Sequence, residues 1–172
     1  MEYLLYKNSA SKESSFSQDR KIKVRMFKPQ IWKLFLHHPN DKKDIRTGLF
    51  RFYISLFTLG KTEIYFAEDE KGNFLHCAYV IPRNIKYPFL ENNEWCIGPC
   101  NTSEAFRGRG IYPYVLCYIL NQNPERKFCM FIREENISSQ KGVEKAGFKL
   151  VEDRVSGTKY FNRFILKNSS KE

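Results

Sequence analysis

No stretch of this chain holds the about 20 uncharged apolar residues that a membrane helix requires. The best candidate, GLFRFYISLFTLG, is shorter and carries Arg51 inside it. The opening MEYLLYKNSASKESS lacks a basic start, an apolar run and a small-residue cleavage site, so it does not read as a secretory signal. A cytoplasmic protein with no membrane span is the expectation. Histidine is scarce, with only His37, His38 and His76, and Cys77, Cys96, Cys100, Cys117 and Cys129 form no C-x-x-C pair. Without clustered ligands no metal site is expected. An odd number of cysteines in apolar segments such as FLHCAYV and YVLCYIL reads as small buried residues in a reducing compartment. Lysine and arginine never gather in a block of about five or six, which weakens the case for a nucleic-acid tail.

What is present is charge and aromatic bulk. The 29 Lys and Arg outnumber the 19 Asp and Glu, leaving a formal +10, and there are 15 Phe and 10 Tyr. A basic surface attracts anions in general, so nucleic acid, acidic membrane and phosphorylated small molecules are all open on charge alone. At 172 residues the chain reads as a single domain over 1–172, large enough to bury a core. Residues 7–20, KNSASKESSFSQDR, read as a Ser-rich loop or loose arm.

Periodicity gives the order of elements. KIKVRMF alternates charged and apolar side chains as a half-buried strand, Pro29 ends it, and QIWKLFLHH reads as a short helix. From Asp44 to Leu59, helical spacing places Ile45, Leu49, Phe52, Tyr53 and Leu56 on one face. TEIYFAE and NFLHCAYVI read as strands around a turn at DEKGN. EWCIGPCNT follows as a strand whose Gly98-Pro99 pair argues against a regular central ladder. IYPYVLCYILNQN is apolar nearly all round, hence a buried helix; RKFCMFIRE is a strand and NISSQKGVEKAG a helix. FKLVEDRV and KYFNRFIL read as a hairpin joined by SGT. The fold class is therefore α/β (α+β): a mixed, largely antiparallel sheet of six to seven strands with about four helices. The strand-helix-strand unit after EWCIGPCNT demands one parallel pair, because a crossover helix joins its strands.

Between that strand and the buried helix lies FRGRGIYP, residues 106–113. Gly108 and Gly110 allow backbone conformations closed to other residues, and Pro113 suits a first helical turn. The first N–H groups of a helix have no intrahelical partner and sit at the positive end of its dipole, so such a loop binds phosphate readily. Arg107 and Arg109 add charge. The stretch lacks the three spaced glycines of a dinucleotide fingerprint and the Lys-Ser/Thr of a P-loop, and on its own it is also compatible with a plain turn. Further on, IREENISSQKGVEKAGF places Asn136 as a helix N-cap and Gly147 as a left-handed stop, with Phe148 tucked back on the helix.

A strand, an R-G-x-G loop, a buried helix, a strand and an Asn-capped helix closed by Gly-Phe, in that order and spacing, resemble the GNAT superfamily of acyl-CoA-dependent N-acyltransferases. Arg107 takes the first position of the family's Q/R-x-x-G-x-G/A loop and Gly110 its first glycine, while Tyr112 stands where a second small residue is usual. Asn136, Ser139, Gly147 and Phe148 match the later element. The motifs span about residues 74–150 and the element order the whole chain. The resemblance implies a splayed parallel pair and an acyl-CoA, most simply acetyl-CoA, as co-substrate. It implies pyrophosphate binding by the amides of Arg107, Gly108, Arg109, Gly110, Ile111 and Tyr112. The amide-bearing arm would lie on Cys100, Asn101 and Thr102, with Asn136 and Ser139 contributing from the next helix.

The chain departs from the pattern at Val143, where a tyrosine acid is common. Tyr112, Tyr114 or water are the candidates for protonating the leaving thiolate, and His76, Glu94 and Glu91 for receiving the amine's proton. The other partner implied is a small amine. The cation-rich HHPNDKKDIR and EDRVSGTKYF, expected at its mouth, disfavour polyamines and favour a phosphate-bearing acceptor such as a nucleotide-linked amino sugar. WCIGPCNTSEAFRGRGIYP also resembles small acyltransferases associated with bacterial surface-polysaccharide synthesis. No nucleic acid is expected, and the protein reads as a monomer or homodimer. Two rivals remain: a catalytically idle acyl-CoA sensor, motivated by Val143, and a basic nucleic-acid-binding domain.

Overall fold

The computed structural model describes residues 2–8, 22–29, 45–83, 87, 89–160 and 163–168. The expected arm at 7–20 and helix QIWKLFLHH fall almost wholly outside them. Eight strands form one sheet in the order β2-β3-β4-β5-β6-β1-β7-β8. They are β1 (Glu2–Asn8), β2 (Lys23–Phe27), β3 (Glu63–Glu68), β4 (Phe74–Pro82), β5 (Glu94–Thr102), β6 (Lys127–Arg133), β7 (Lys149–Tyr160) and β8 (Arg163–Asn168). The helices described are α1 (Ile45–Phe57), α2 (Ile111–Gln122) and α3 (Ile137–Lys145), and a short 3-10 turn covers Glu104–Phe106. The sheet is mixed. β5 and β6 pair in parallel, and the other neighbours are antiparallel.

The strand beyond the expected count is β1. Its apolar Leu4, Leu5 and Tyr6 are buried, and it slots between β6 and β7 at the centre of that half of the sheet. The C-terminal hairpin also differs from its sequence reading. β7 runs through SGT without a break as far as Tyr160, which pairs with Arg163, so SGT is not the turn of the hairpin. The Gly in SGT sits inside a paired strand, opposite Leu166.

Two layers cover the sheet. On one face Val115, Leu116 and Ile119 of α2 and Val143 of α3 pack on Ala78, Val80 and Ile97. On the other, Ile54 of α1 packs with Ile64, Phe66, Tyr79 and Ile81. Here α1 is rotated from the face that periodicity assigned. Leu49, Tyr53 and Leu56 are 51%, 54% and 45% exposed, while Arg51 and Ser55 are buried. Both polar groups are satisfied, which removes the usual penalty for burial. Arg51 Nε donates to the Tyr79 hydroxyl at 3.1 Å, its guanidinium lies 5.8 Å from the Phe66 ring centre, and Ser55 Oγ donates to the Pro29 carbonyl at 2.9 Å. The side chain of Ile45 lies outside the described residues.

The feature that positions the site is the short parallel pair. β5 and β6 are in register only from Glu94 to Cys96 against Lys127 to Cys129. Beyond Cys96 the two strands part, and β5 keeps only its β4 partner. Gly98 and Pro99 stand at this point, where the β4 register shifts between Ala78 and Val80. A left-handed glycine and a residue without an N–H serve a strand that stops pairing on one side.

Candidate active site

The chain leaves β5 at Thr102, turns through Glu104–Phe106 and enters α2 after two left-handed glycines, Gly108 at φ 74° and Gly110 at φ 76°. Gly110 caps α2 with no side-chain hydrogen bond, so the N–H groups of Ile111 and Tyr112 open the helix without an intrahelical acceptor. The third residue, Pro113, has no N–H to lose, as its sequence position predicts. α3 begins opposite. Asn136 Oδ1 accepts from Ser139 N at 3.1 Å, and the far end closes as expected, with Gly147 at φ 89° and Phe148 N bonded to the Val143 carbonyl at 3.1 Å.

A cavity of about 610 Å³ opens between these two helix starts, floored by the free end of β5 and by β4. It is bordered by Cys100, Asn101 and Thr102 of β5, by Arg107, Gly108, Gly110, Ile111 and Tyr112 around the loop, and by Asn136 and Ser139 of α3. Those residues, scattered over the sequence reading, meet at one place. Arg109 is not on the cavity wall; its guanidinium lies 5.3 Å from the Phe106 ring centre. Arg107 turns back on the strand, donating from Nε to the Thr102 carbonyl at 3.3 Å and pairing with Glu104 at 3.6 Å.

Of the five side chains considered for proton chemistry, the structure brings two, His76 and Tyr112, to the cavity. His76 is fully buried in its floor. Cross-strand pairing puts it opposite Thr102, and Nδ1 lies 2.7 Å from Thr102 Oγ1. Nε2 is a buried polar atom with no hydrogen-bond partner. Burial pushes the imidazole down from 6.5 to about 4, so it is neutral at physiological pH. The Tyr112 ring stands 5.5 Å from the His76 ring, and burial, then the nearby Cys100, raise its phenol above the ordinary range. Burial raises the Cys100 thiol as well. Glu94 is elsewhere. It opens β5 while Thr102 ends it, so the two are separated by roughly 26 Å of extended chain at about 3.3 Å per residue. There Glu94 is buried against Lys7 Nζ at 2.9 Å and accepts from the Glu91 amide at 3.2 Å. Glu91 is exposed and paired with Lys127 at 3.0 Å. A carboxylate at a strand start looked available in sequence, but the splay turns the opposite end of that strand into the site.

Tyr114 packs half-buried against the core and is not on the cavity wall. Val143, which stands in place of a common tyrosine acid, is fully buried beside Phe148 and faces the core. Sequence reasoning missed a wall of α3 made by Ser138, Lys141, Gly142 and Lys145. Their spacing is one helical face counted from the Asn136 cap, which is the signal that finds them. Lys141 and Lys145 are exposed on the rim, whereas Gly142 is buried because the Tyr112 ring lies against it.

No family model matches this sequence, and no curated protein sequence does. Solved structures do share its architecture. An acetyltransferase of the GNAT family from Colwellia psychrerythraea superposes with a TM-score of 0.57 at 14% identity, over 87% of this chain and 53% of its own. A tandem GNAT protein from the clavulanic acid biosynthesis pathway gives a TM-score of 0.58 at 14% identity, over 89% and 51%. A spermidine/spermine N-acetyltransferase from Vibrio cholerae gives 0.51 at 14% identity, over 90% of both chains. The chain thus spans about half the length of the first two. These likenesses, with the short parallel pair and the glycine-opened helix beside it, establish that the chain has the fold of the GNAT N-acetyltransferases.

Proposed function

We propose that the protein is an acyl-CoA-dependent N-acyltransferase that moves an acyl group, most simply acetyl, to the amine of a small acceptor. One observation carries the reading: the end of β5 that no longer pairs with β6 and the capless start of α2 border the same cavity. Coenzyme A fits what is there. The amides of Gly108, Gly110, Ile111 and Tyr112 suit its pyrophosphate, the β5 edge at Cys100–Thr102 its amide-bearing arm, and Lys141 with Lys145 supply cations on the rim. When bound, the thioester supplies an activated acyl group and a thiolate that must leave.

The chain's own part is to hold that arm, exclude water and place protons. Tyr112, the one phenol on the cavity wall among the described residues, is assigned the protonation of the leaving sulfur. Of the side chains considered as base only His76 borders the cavity, with water as the other candidate, since the carboxylates of Glu94 and Glu91 lie at the other end of β5. For the acceptor, the formal charge of +10 supports an amine that also carries phosphate, such as a nucleotide-linked amino sugar, over a polyamine. The fold does not choose between them, because the polyamine acetyltransferase from Vibrio cholerae shares it. The cation-rich HHPNDKKDIR lies outside the described residues up to Asp44, and the side chains of its last two residues and of all of EDRVSGTKYF are likewise outside them.

The test is a thermal-shift and transfer series. Acetyl-CoA is expected to raise the melting temperature while adenosine does much less, and release of free thiol is expected with an amino-sugar nucleotide. Equal stabilisation by adenosine alone refutes the cradle. Tight acetyl-CoA binding without turnover across a broad amine panel makes the protein a sensor instead.

A further inference from the structure

Among the described residues, His76 Nε2 is the one buried side-chain nitrogen or oxygen without a hydrogen-bond partner. Protein interiors rarely leave such an atom unsatisfied, and the exceptions are concentrated where a ligand or ordered solvent completes the set. The imidazole is not misplaced by accident, because its other nitrogen is held. Nδ1 sits 2.7 Å from Thr102 Oγ1, and one flank of the ring faces Tyr112 at 5.5 Å. Tyr112 is itself backed by Gly142 of α3, where a β-carbon would stand 2.6 Å from the ring. The ring is thus fixed from two sides and forms part of the cavity floor, on the same sheet face as Cys100 and Thr102.

We propose that His76 is a binding residue for the ligand's neutral amide-bearing arm, with Nε2 hydrogen-bonding a pantetheine amide, and is not the base of the reaction. The inference rests on the acyl-CoA reading of the cavity. The register supports it: His76 is cross-strand from Thr102, at the end of β5 whose opposite edge is no longer paired with β6. An imidazole that titrates near 4 is a weak acceptor for an ammonium proton. As a neutral ring it is well suited to an amide. If Thr102 accepts from Nδ1, Nε2 accepts an amide N–H; if Thr102 donates, Nε2–H meets an amide carbonyl. Either way the Thr102 hydroxyl is a positioning group that sets which half of the amide is read.

Two ligands separate the arm from the phosphates: coenzyme A, and 3′,5′-ADP, which has nucleotide phosphates and no pantetheine. In the unmodified protein, the Nε2 resonance of His76 in a nitrogen-15 NMR spectrum is expected to move on adding coenzyme A and to stay put with 3′,5′-ADP. By calorimetry, His76→Phe is expected to weaken coenzyme A binding about three- to tenfold, the size of one neutral hydrogen bond, with 3′,5′-ADP affinity unchanged. Thr102→Val, which keeps shape and frees the ring, is expected to show the same arm-selective loss. An Nε2 signal indifferent to coenzyme A, or equal losses for both ligands, overturns the assignment. Failure of the unmodified protein to bind either ligand refutes the acyl-CoA reading itself, a different result.

Discussion

Gly142→Ala tests the packing that shapes the cavity. An alanine β-carbon there would lie 2.6 Å from Tyr112 Cδ1 and 2.9 Å from Cε1. Carbon atoms rest about 3.5–4.0 Å apart, so the ring must retreat by roughly 1 Å. It has little room, with the His76 ring 5.5 Å away on β4. Overpacking of this kind costs about 1–3 kcal/mol. Against it, alanine is better than glycine inside a helix by about 1 kcal/mol. The net expectation is a loss of up to about 2 kcal/mol, or roughly 4–8 °C in melting temperature for a chain of this length. The decisive comparison is in a Tyr112→Ala background. With the ring gone, the same substitution keeps only the helix term and is expected to stabilise by about 0.5–1 kcal/mol. Urea unfolding of the four proteins gives the coupling directly. Additive effects, or a stabilising Gly142→Ala in the presence of Tyr112, refute the claim that glycine is there to seat the ring.

Gly110→Val forces a β-branched residue to φ 76°, a strain of about 1–3 kcal/mol, and is expected to abolish coenzyme A binding while circular dichroism still reports a folded protein; unchanged affinity places the anion site elsewhere. Tyr112→Phe is expected to lower the turnover number at least about tenfold with acetyl-CoA affinity nearly intact, since a positioned acid acts in the transition state; wild-type turnover passes the role to water. Lys141→Glu with Lys145→Glu is expected to weaken coenzyme A binding at low salt by about tenfold or more, with the difference shrinking as ionic strength rises; a salt-independent loss points to misfolding. His76 is lowered from 6.5 to about 4 in the folded protein, so its contribution is complete above 6.5 and lost as pH falls through 4, about 3 kcal/mol in all. Urea unfolding at pH 7.5 and 4.5 is expected to show a shallower pH dependence for His76→Phe than for the parent, and equal slopes refute the buried-neutral assignment.

What the sequence reveals is what local chemistry decides. EWCIGPCNT coincides with β5 residue for residue, because its ends are marked by charge and turn and its interruption by Gly98-Pro99. The loop glycines are legible because only glycine takes φ 74° and 76° readily, and α3 because Asn136 and Gly147 cap it. Where a distant partner decides, the reading fails. β1 is a strand because β6 and β7 flank it, and nothing near residue 4 announces either one. α1 has an apolar face by spacing, yet it buries Arg51 and Ser55 because Tyr79, Phe66 and Pro29 are there to satisfy them. Glu94 was a fair candidate for a base until the direction of the splay was known. Gly142 carries no sequence signal beyond its helical spacing, since the reason for it is a ring on another helix.

The electrostatic layout of the cavity bears on which class of ligand it takes. Three titratable side chains reach its floor, and burial holds each neutral: His76 by lowering its affinity for a proton, Tyr112 and Cys100 by raising theirs. The cations Lys141, Lys145 and Arg107 are exposed on the rim. Charge therefore changes with depth, from cations on the rim to an uncharged floor under Tyr112. A polynucleotide carries charge at every unit and needs cations wherever its backbone runs. An uncharged floor leaves any phosphate that enters it without a counter-charge at low dielectric, which is costly. A ligand with phosphates at one end and a neutral amide chain at the other meets the gradient in the right order. This ordering, more than the total of +10, favours an acyl-CoA over nucleic acid.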